Sequence, residues 1–310
     1  MGYDTVNSWL PKERAGVKNL LSHSFDLLER QTISRSEKGE FLKGFLGNYS
    51  VFVNDYGLSM SGSLPKWYLG DNIQDLSRGD TERAIEKLSD ILHLPIKDSI
   101  VKRIDFGVGF IMNQEAELYY PCLGQLRYFD RLVQPKSIYY KNPNKELIFY
   151  NKIAECKQKR VNVPEFLCKS NLLRYEMRLT KNIPNQMNMN EVQLLNLFEE
   201  EFYMNIIDKW EQFFMQIFKI RKSSFKTKDM IKPNDIMDEL TLIGIQALGY
   251  ESVLNMVEEV KRKGLFEHSK YEHRAKAMIK DLISKENLTE PNELMVELEK
   301  KISNVVSNYR

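Results

Sequence analysis

The chain has little histidine and little cysteine, and each shortage removes a class of chemistry. Its 310 residues hold four histidines, at 23, 93, 268 and 273, none spaced as His-x-His or His-Glu-x-x-His. Metal binding led by paired imidazoles, as in metalloproteases, has no framework here. Three cysteines, at 122, 156 and 168, are odd in number and far apart, which fits reduced thiols in a cytoplasmic protein rather than a disulfide scaffold or a zinc site. A P-loop and a Rossmann glycine fingerprint are also missing, so NTP-driven and nicotinamide chemistry have no support. No apolar run reaches the roughly eighteen residues of a membrane helix. The first residues, with Asp4 and Pro11, lack the basic-then-apolar layout of a signal peptide, so no membrane contact is expected. A net charge of +2 is too small to announce a polybasic protein.

The distribution of that charge says more than its sum. Between Lys141 and Lys181 ten Lys/Arg face four Asp/Glu, a net of +6, whereas Lys232 to Arg310 carries twelve against fourteen, a net of −2. A positive field of this kind suits phosphates, although a solvated basic loop would look the same. Hydrophobic residues make up 42% and charged residues 28%, the balance of a globular chain of one large domain or two modest ones.

Periodicity predicts strands over 3–10, 49–56, 58–67, 100–111, 137–141, 146–150 and 174–179, and helices over 17–30, 81–92, 151–159 and 189–220. Residues 117–132 give no clear signal. Asp80 or Thr81 reads as the cap of the second helix. Gly107 and Gly109 within a strand mark a close approach by a ligand or a neighbouring backbone. After the basic stretch Arg221–Lys228, helices follow near 234–248, 250–264, 270–285 and 291–307. This order predicts an α+β fold: a central, mostly antiparallel sheet flanked by helices, and an all-helical C-terminal region. The division falls between a domain of residues 1–225 and a helical region of 226–310.

The densest chemistry lies in Lys145-Glu-Leu-Ile-Phe-Tyr150-Asn-Lys152-Ile-Ala-Glu155 and Leu172-Leu-Arg174-Tyr175-Glu176-Met-Arg178-Leu179. A strand period of two puts Arg174, Glu176 and Arg178 on one face. A phenol, carboxylates and several cations suit attack on a phosphodiester, with a divalent metal and the cations bearing the developing charge.

The Phe-Tyr-Asn-Lys-x-x-Glu run and Arg-Tyr-Glu-x-Arg-Leu resemble the phage and plasmid replication initiators of the filamentous-phage gene II/X type, a rolling-circle group. Met1-Gly-Tyr-Asp-Thr-Val6, Ser61-Gly-Ser-Leu-Pro-Lys66 with Gly70-Asp-Asn72, and Ile104-Asp105-Phe-Gly-Val108 resemble further segments of that family, and the resemblance covers roughly residues 1–230. It implies nicking and rejoining of single-stranded origin DNA through a 5′-phosphotyrosine. Tyr150 is then the candidate nucleophile, with Lys152 and Glu155 beside it, its plainer account being a half-buried core ring with its hydroxyl bonded to a neighbour; Tyr139, Tyr140 and Tyr175 are rivals. Asp105 and Glu176 become candidate ligands of Mg²⁺ or Mn²⁺, oxygen-seeking ions, although Asp105 could equally pair with Arg103 or Arg174. The absence of a His-x-His pair departs from the wider rolling-circle pattern. Lys66, Trp67, Asn72, Lys157, Arg174 and Arg178 are candidate DNA contacts, with two strand-edge aromatics as the plainer account of Trp67 and Tyr68. The plainer account of Glu155 is an ion pair with Lys152 or Lys159. Two other readings stay open: a DNA-binding replication regulator without catalysis, and a metal-dependent nuclease that activates water. The helical tail is expected to position the origin or to meet a host helicase or polymerase.

Overall fold

The computed structural model describes residues 1–37, 39–223, 232–284 and 289–309. Ten strands form one sheet: β1 (Gly2–Pro11), β2 (Glu29–Ser36), β3 (Gly39–Leu46), β4 (Tyr49–Asn54), β5 (Gly57–Ser63), β6 (Ile100–Met112), β7 (Asp130–Gln134), β8 (Ser137–Lys141), β9 (Lys145–Asn151) and β10 (Asn171–Leu179). Their spatial order is β2-β3-β4-β5-β1-β6-β10-β9-β8-β7, and every neighbouring pair is antiparallel. A two-residue pair, β11 (Lys222–Ser223) with β12 (Thr289–Glu290), stands apart. The helices are α1 (Lys12–Ala15), α2 (Leu20–Phe25), α3 (Leu64–Leu69), α4 (Arg78–Leu92), α5 (Lys152–Gln158), α6 (Ile183–Gln186), α7 (Glu200–Gln216), α8 (Pro233–Leu248), α9 (Tyr250–Arg262), α10 (Lys270–Ser284) and α11 (Glu293–Ser307). The expected α+β architecture is what the chain adopts.

Side-chain amides set the hairpins. Asn54 Oδ1 accepts from the backbone N–H of Tyr56 and Gly57, and Asn142 Oδ1 accepts from those of Asn144 and Lys145. These Asx turns let short polar loops reverse the chain, which keeps the sheet antiparallel. Asn151 ends β9 and caps α5 through its Oδ1.

Four local expectations are corrected. Within 17–30 only Leu20–Phe25 is helical, because Asn19 caps it late and the chain turns into β2. Within 189–220 the α-helix is α7 alone, preceded by a 3-10 turn at Leu194–Phe198; Val192 and Gln193 are extended because they pair with the start of β6. β5 stops at Ser63, whose side chain caps α3 with Pro65 in its first turn, so Trp67 sits on a helix rather than a strand. The cap of α4 is Ser77, and Asp80 is the reciprocal third residue of its capping box.

The sheet has two unlike faces. On the inner one, Tyr3, Phe106, Phe149, Tyr175 and Met177 join one core with α4, α7 and α11. Phe149 stacks on Tyr175 at 4.3 Å, and the Tyr175 hydroxyl donates to the Trp210 carbonyl at 3.0 Å. The boundary between 225 and 226 falls outside the described residues. Met295, Leu298, Ile302 and Val306 of α11 nonetheless belong to this main core, and Tyr119 donates to Glu297 at 2.5 Å. No single helix among the described residues is long and apolar enough to cross a membrane.

Leu298 is fully buried. Leu298→Ala should therefore cost about 2–5 kcal/mol, the range for a truncated core leucine, read as a lower urea midpoint at unchanged slope. A loss below about 0.5 kcal/mol, the scale of a surface change, would show that α11 is not seated as described.

Candidate active site

The outer face of the sheet is polar where β6, β10 and β9 meet. The alternation of β10 sends Arg174, Glu176 and Arg178 outward while Tyr175 and Met177 go to the core. In register, Glu176 stands opposite Gly107 on β6 and Arg174 opposite Tyr150 on β9. A Cβ at Gly107 would lie 2.7 Å from Glu176 Cγ and 2.6 Å from the Tyr175 carbonyl oxygen. The close approach read from the strand glycines is thus made at Gly107 by β10, through the Tyr175 carbonyl and the Glu176 side chain.

Glu176 is the hub. Its Oε1 accepts from Tyr150 Oη at 2.6 Å and from Arg174 Nε at 2.8 Å, and its Oε2 accepts from Arg178 Nη2 at 2.9 Å. Arg174 reaches on to Asp75 at 2.9 Å and towards Asp4 at 3.9 Å. Arg178 is shared with Glu146 at 2.9 Å and Asp105 at 3.6 Å, and Arg103 grips Asp105 with two bonds of 2.7 and 2.8 Å. Asp4 accepts from Ser63 and Asn72.

These partners decide which carboxylate carries charge. Burial pushes the Glu176 carboxyl up, but Arg174, Arg178 and the Tyr150 hydroxyl outweigh it and bring it down to about 2. Asp105 has the weaker hold on Arg178, and there burial wins against Arg103 and Arg178, raising it to about 6. Burial, then the charge of Glu176, pushes the Tyr150 phenol well above its ordinary range. At neutral pH Tyr150 is a protonated donor to an ionised acceptor.

Beside this network a cleft of about 1300 Å³ opens between the sheet and the β9–β10 connection. Tyr150, Glu155, Lys157 and Arg178 line it, with Tyr139 on the neighbouring strand. Lys152 is buried at 1% exposure, its ammonium 2.8 Å from Glu155 and 5.8 Å from the Tyr150 ring centre. Glu155 also accepts from Lys159 at 2.5 Å, and although burial opposes it, the two lysines hold its carboxyl below the usual range. The ion-pair role of Glu155 is thus visible.

Of the tyrosine rivals, Tyr140 and Tyr175 are in the core and bond backbone carbonyls of Gly124 and Trp210. Of the expected DNA contacts, Arg174, Arg178 and Lys157 gather at the network and its cleft. Asn72 is buried against Asp4, and Trp67 packs edge-on against Tyr49 at 6.4 Å beneath the Lys87 ammonium. Lys66 shares α3 with Trp67.

The pair proposed for Mg²⁺ or Mn²⁺ does come together, but around Arg178. Both oxygens of Asp105 and both of Glu176 accept from guanidinium groups, and a dication there would displace or oppose them. Among the described residues no group of three His, Cys, Asp or Glu is placed to hold a metal ion. As arranged, these residues do not fit the ion.

The ion pair of Asp105 with Arg103, the plainer account of that carboxylate, is formed, whereas Asp4, Asp75 and Glu146 were not singled out as site residues by the sequence. Glu146 was the most accessible: it sits two residues from Ile148 on the same face of β9, opposite Arg178. Asp75 lies in an irregular loop, where no periodicity points to a partner 99 residues away.

Comparison with known families bears on this arrangement. The family model described as replication-associated protein G2P, N-terminal, matches residues 37–211, more than half of the chain. The chain belongs to that family, replication initiators of the filamentous-phage gene II type. No curated protein matches the chain. In the initiator, the matched segment runs from the end of β2 into α7 and contains Asp75, Asp105, Glu146, Tyr150, Arg174, Glu176 and Arg178. Asp4 of β1 lies outside it.

The depressed Glu176 carboxyl fixes the sign of an acid response. A group ionised more readily when folded stabilises the fold above its unfolded pKa, near 4.5, and that contribution, roughly 3 kcal/mol by the linkage relation, is lost as pH falls towards about 2. Asp105 acts oppositely, its contribution falling as pH rises from 3.8 to about 6. Urea titrations of Glu176→Gln should show lower stability at pH 7 and a flatter decline below pH 4.5 than the wild-type initiator. Parallel declines would mean that Glu176 is not the group responsible.

Proposed function

We propose that the initiator nicks single-stranded DNA by attack of Tyr150, leaving a 5′-phosphotyrosine and a free 3′-hydroxyl. The observation that carries this reading is the 2.6 Å hydrogen bond from Tyr150 Oη, at the margin of a cation-lined cleft, to an ionised carboxylate held by two arginines. As the Oη–phosphorus bond forms and the bond to O3′ breaks, the phenolic proton passes to Glu176 Oε1 and then to the departing 3′ oxygen. Glu176 is a poor base while Arg174 and Arg178 hold its charge. A phosphate that shares Arg178 withdraws part of that stabilisation and makes Glu176 a better proton acceptor. Arg178 and Lys157 bear charge on the non-bridging oxygens. Attack by the 3′-hydroxyl reverses each step and restores both the DNA and Tyr150.

A regulator that binds DNA without cutting it is favoured by one observation: Tyr150 is 7% exposed and its phenol is strongly held in the protonated form. Contact with a host helicase or polymerase is part of either reading, and exposed Met237, Leu240 and Met256 on α8 and α9 suit protein contact.

The readings separate on one gel. With 5′-labelled and 3′-labelled origin oligonucleotides, with and without Mn²⁺, the wild-type protein should form a denaturant-stable adduct. Tyr150→Phe should abolish it while losing about 1.5–3 kcal/mol of stability, the value of a hydrogen bond to a charged group, and Tyr139→Phe should retain it. An adduct that persists in Tyr150→Phe sinks the assignment of the nucleophile. Cleavage without any adduct would favour activated water, and binding without cleavage the regulator.

A further inference from the structure

The outer face continues past the active site, across β1, β5, β4 and β3, with a different composition. Alternation places Trp9 and Asn7 of β1, Ser61 of β5, Phe52 of β4 and Phe41 and Lys43 of β3 on the side opposite the core, where Val6, Met60, Val53 and Leu42 are buried. The other outward positions of these four strands, from Thr5 onward in β1, are Ser, Thr, Asn, Gly and Pro with one more aromatic, Phe45 at 41% exposure. None is acidic. Trp9, Ser59, Phe52 and Lys43 stand in one row across the strands, and the rings of Phe41 and Phe52 lie 5.4 Å apart with the Lys43 ammonium 5.4 Å above Phe41. At the other margin Asn7 pairs in register with Arg103, which holds Asp105 and so adjoins the active-site network.

We propose that this face is a stacking platform for single-stranded DNA, on which Trp9, Phe52 and Phe41 take unpaired bases and Lys43 a phosphate. Half-buried aromatic rings offer flat surfaces to any base, hydroxyl and amide groups bond its edges, and the outward positions of these strands carry no carboxylate to repel the backbone, Asp55 beside Gly39 and Glu29 beside Phe45 lying at the far edge. A duplex hides its base faces and gains nothing there. The face shares one sheet surface with the cleft, so a strand stacked on it runs towards Tyr150. The inference rests on the proposed action on single-stranded DNA for its purpose, but binding is measured separately.

Fluorescence anisotropy of the full chain with a labelled oligo(dT) of about 20 nucleotides, longer than a typical single-strand site, tests it. Trp9→Leu and Phe52→Leu keep apolar volume and should each weaken binding about ten-fold, within the range for one lost base stack. Lys43→Glu, at an exposed position, should weaken it several-fold and reduce its salt dependence. A blunt duplex should compete poorly. Wild-type affinity in Lys43→Glu and in the folded leucine variants, or equal competition by duplex, overturns the platform, whatever the adduct assay shows. An adduct that survives Tyr150→Phe would overturn the nucleophile and leave the platform standing. If the face instead binds only a protein, oligo(dT) binding will be unaffected by all three changes, which also overturns it.

Discussion

Everything at the candidate active site depends on holding one ionised carboxylate in the middle of a sheet. Glu176 is removed from water, and an isolated charge there would simply become protonated. Two guanidinium groups and a phenol prevent that. They come from the same strand and its neighbour, so a register of two residues along β10 does the positioning. Arg174 and Arg178 in turn need carboxylates of their own, which draws Asp75, Asp4, Glu146 and Asp105 into one network across β1, β6, β9 and β10.

Such a network is specific rather than strongly stabilising. Two charges buried together recover much of their desolvation cost but rarely more, whereas removing one partner strands the other. The inner face supplies the stability that the outer one lacks. The Tyr175–Phe149–Trp210 stack lies directly behind the charged residues, so the strand that displays Glu176 on one side is anchored by aromatics on the other. The final helix completes that anchor, which ties the end of the chain to the sheet that carries the site.

Much of this was legible in the sequence because it is written in short-range patterns. The strands expected over 137–141, 146–150 and 174–179 and the helix expected from 151 correspond to β8, β9, β10 and α5, and they bring Tyr150 and Glu176 together. Periodicity also found α8 to α11 closely. It failed where a segment's partner is distant: Val192 and Gln193 look helical by composition but become extended against β6, with Leu194–Phe198 reduced to a 3-10 turn, and after Phe25 the chain turns into β2 at Glu29. The pairing of Asp105 and Glu176 was visible as proximity, but its character was not. The Arg103 pairing was foreseen as an alternative, but no local spacing reveals that Arg178 also reaches across the strands to Asp105 and leaves neither carboxylate free.

A single uninterrupted sheet also behaves as a ruler. Neighbouring strands are spaced by about 4.8 Å, and Tyr150 on β9 is separated from Phe52 on β4 by five such steps, through β10, β6, β1 and β5. The offset between the two, roughly 24 Å on that spacing, is set by strand number and not by the length of any loop. Loops at the sheet's ends can therefore lengthen or change sequence without altering it, and only the gain or loss of a whole strand would rescale the distance.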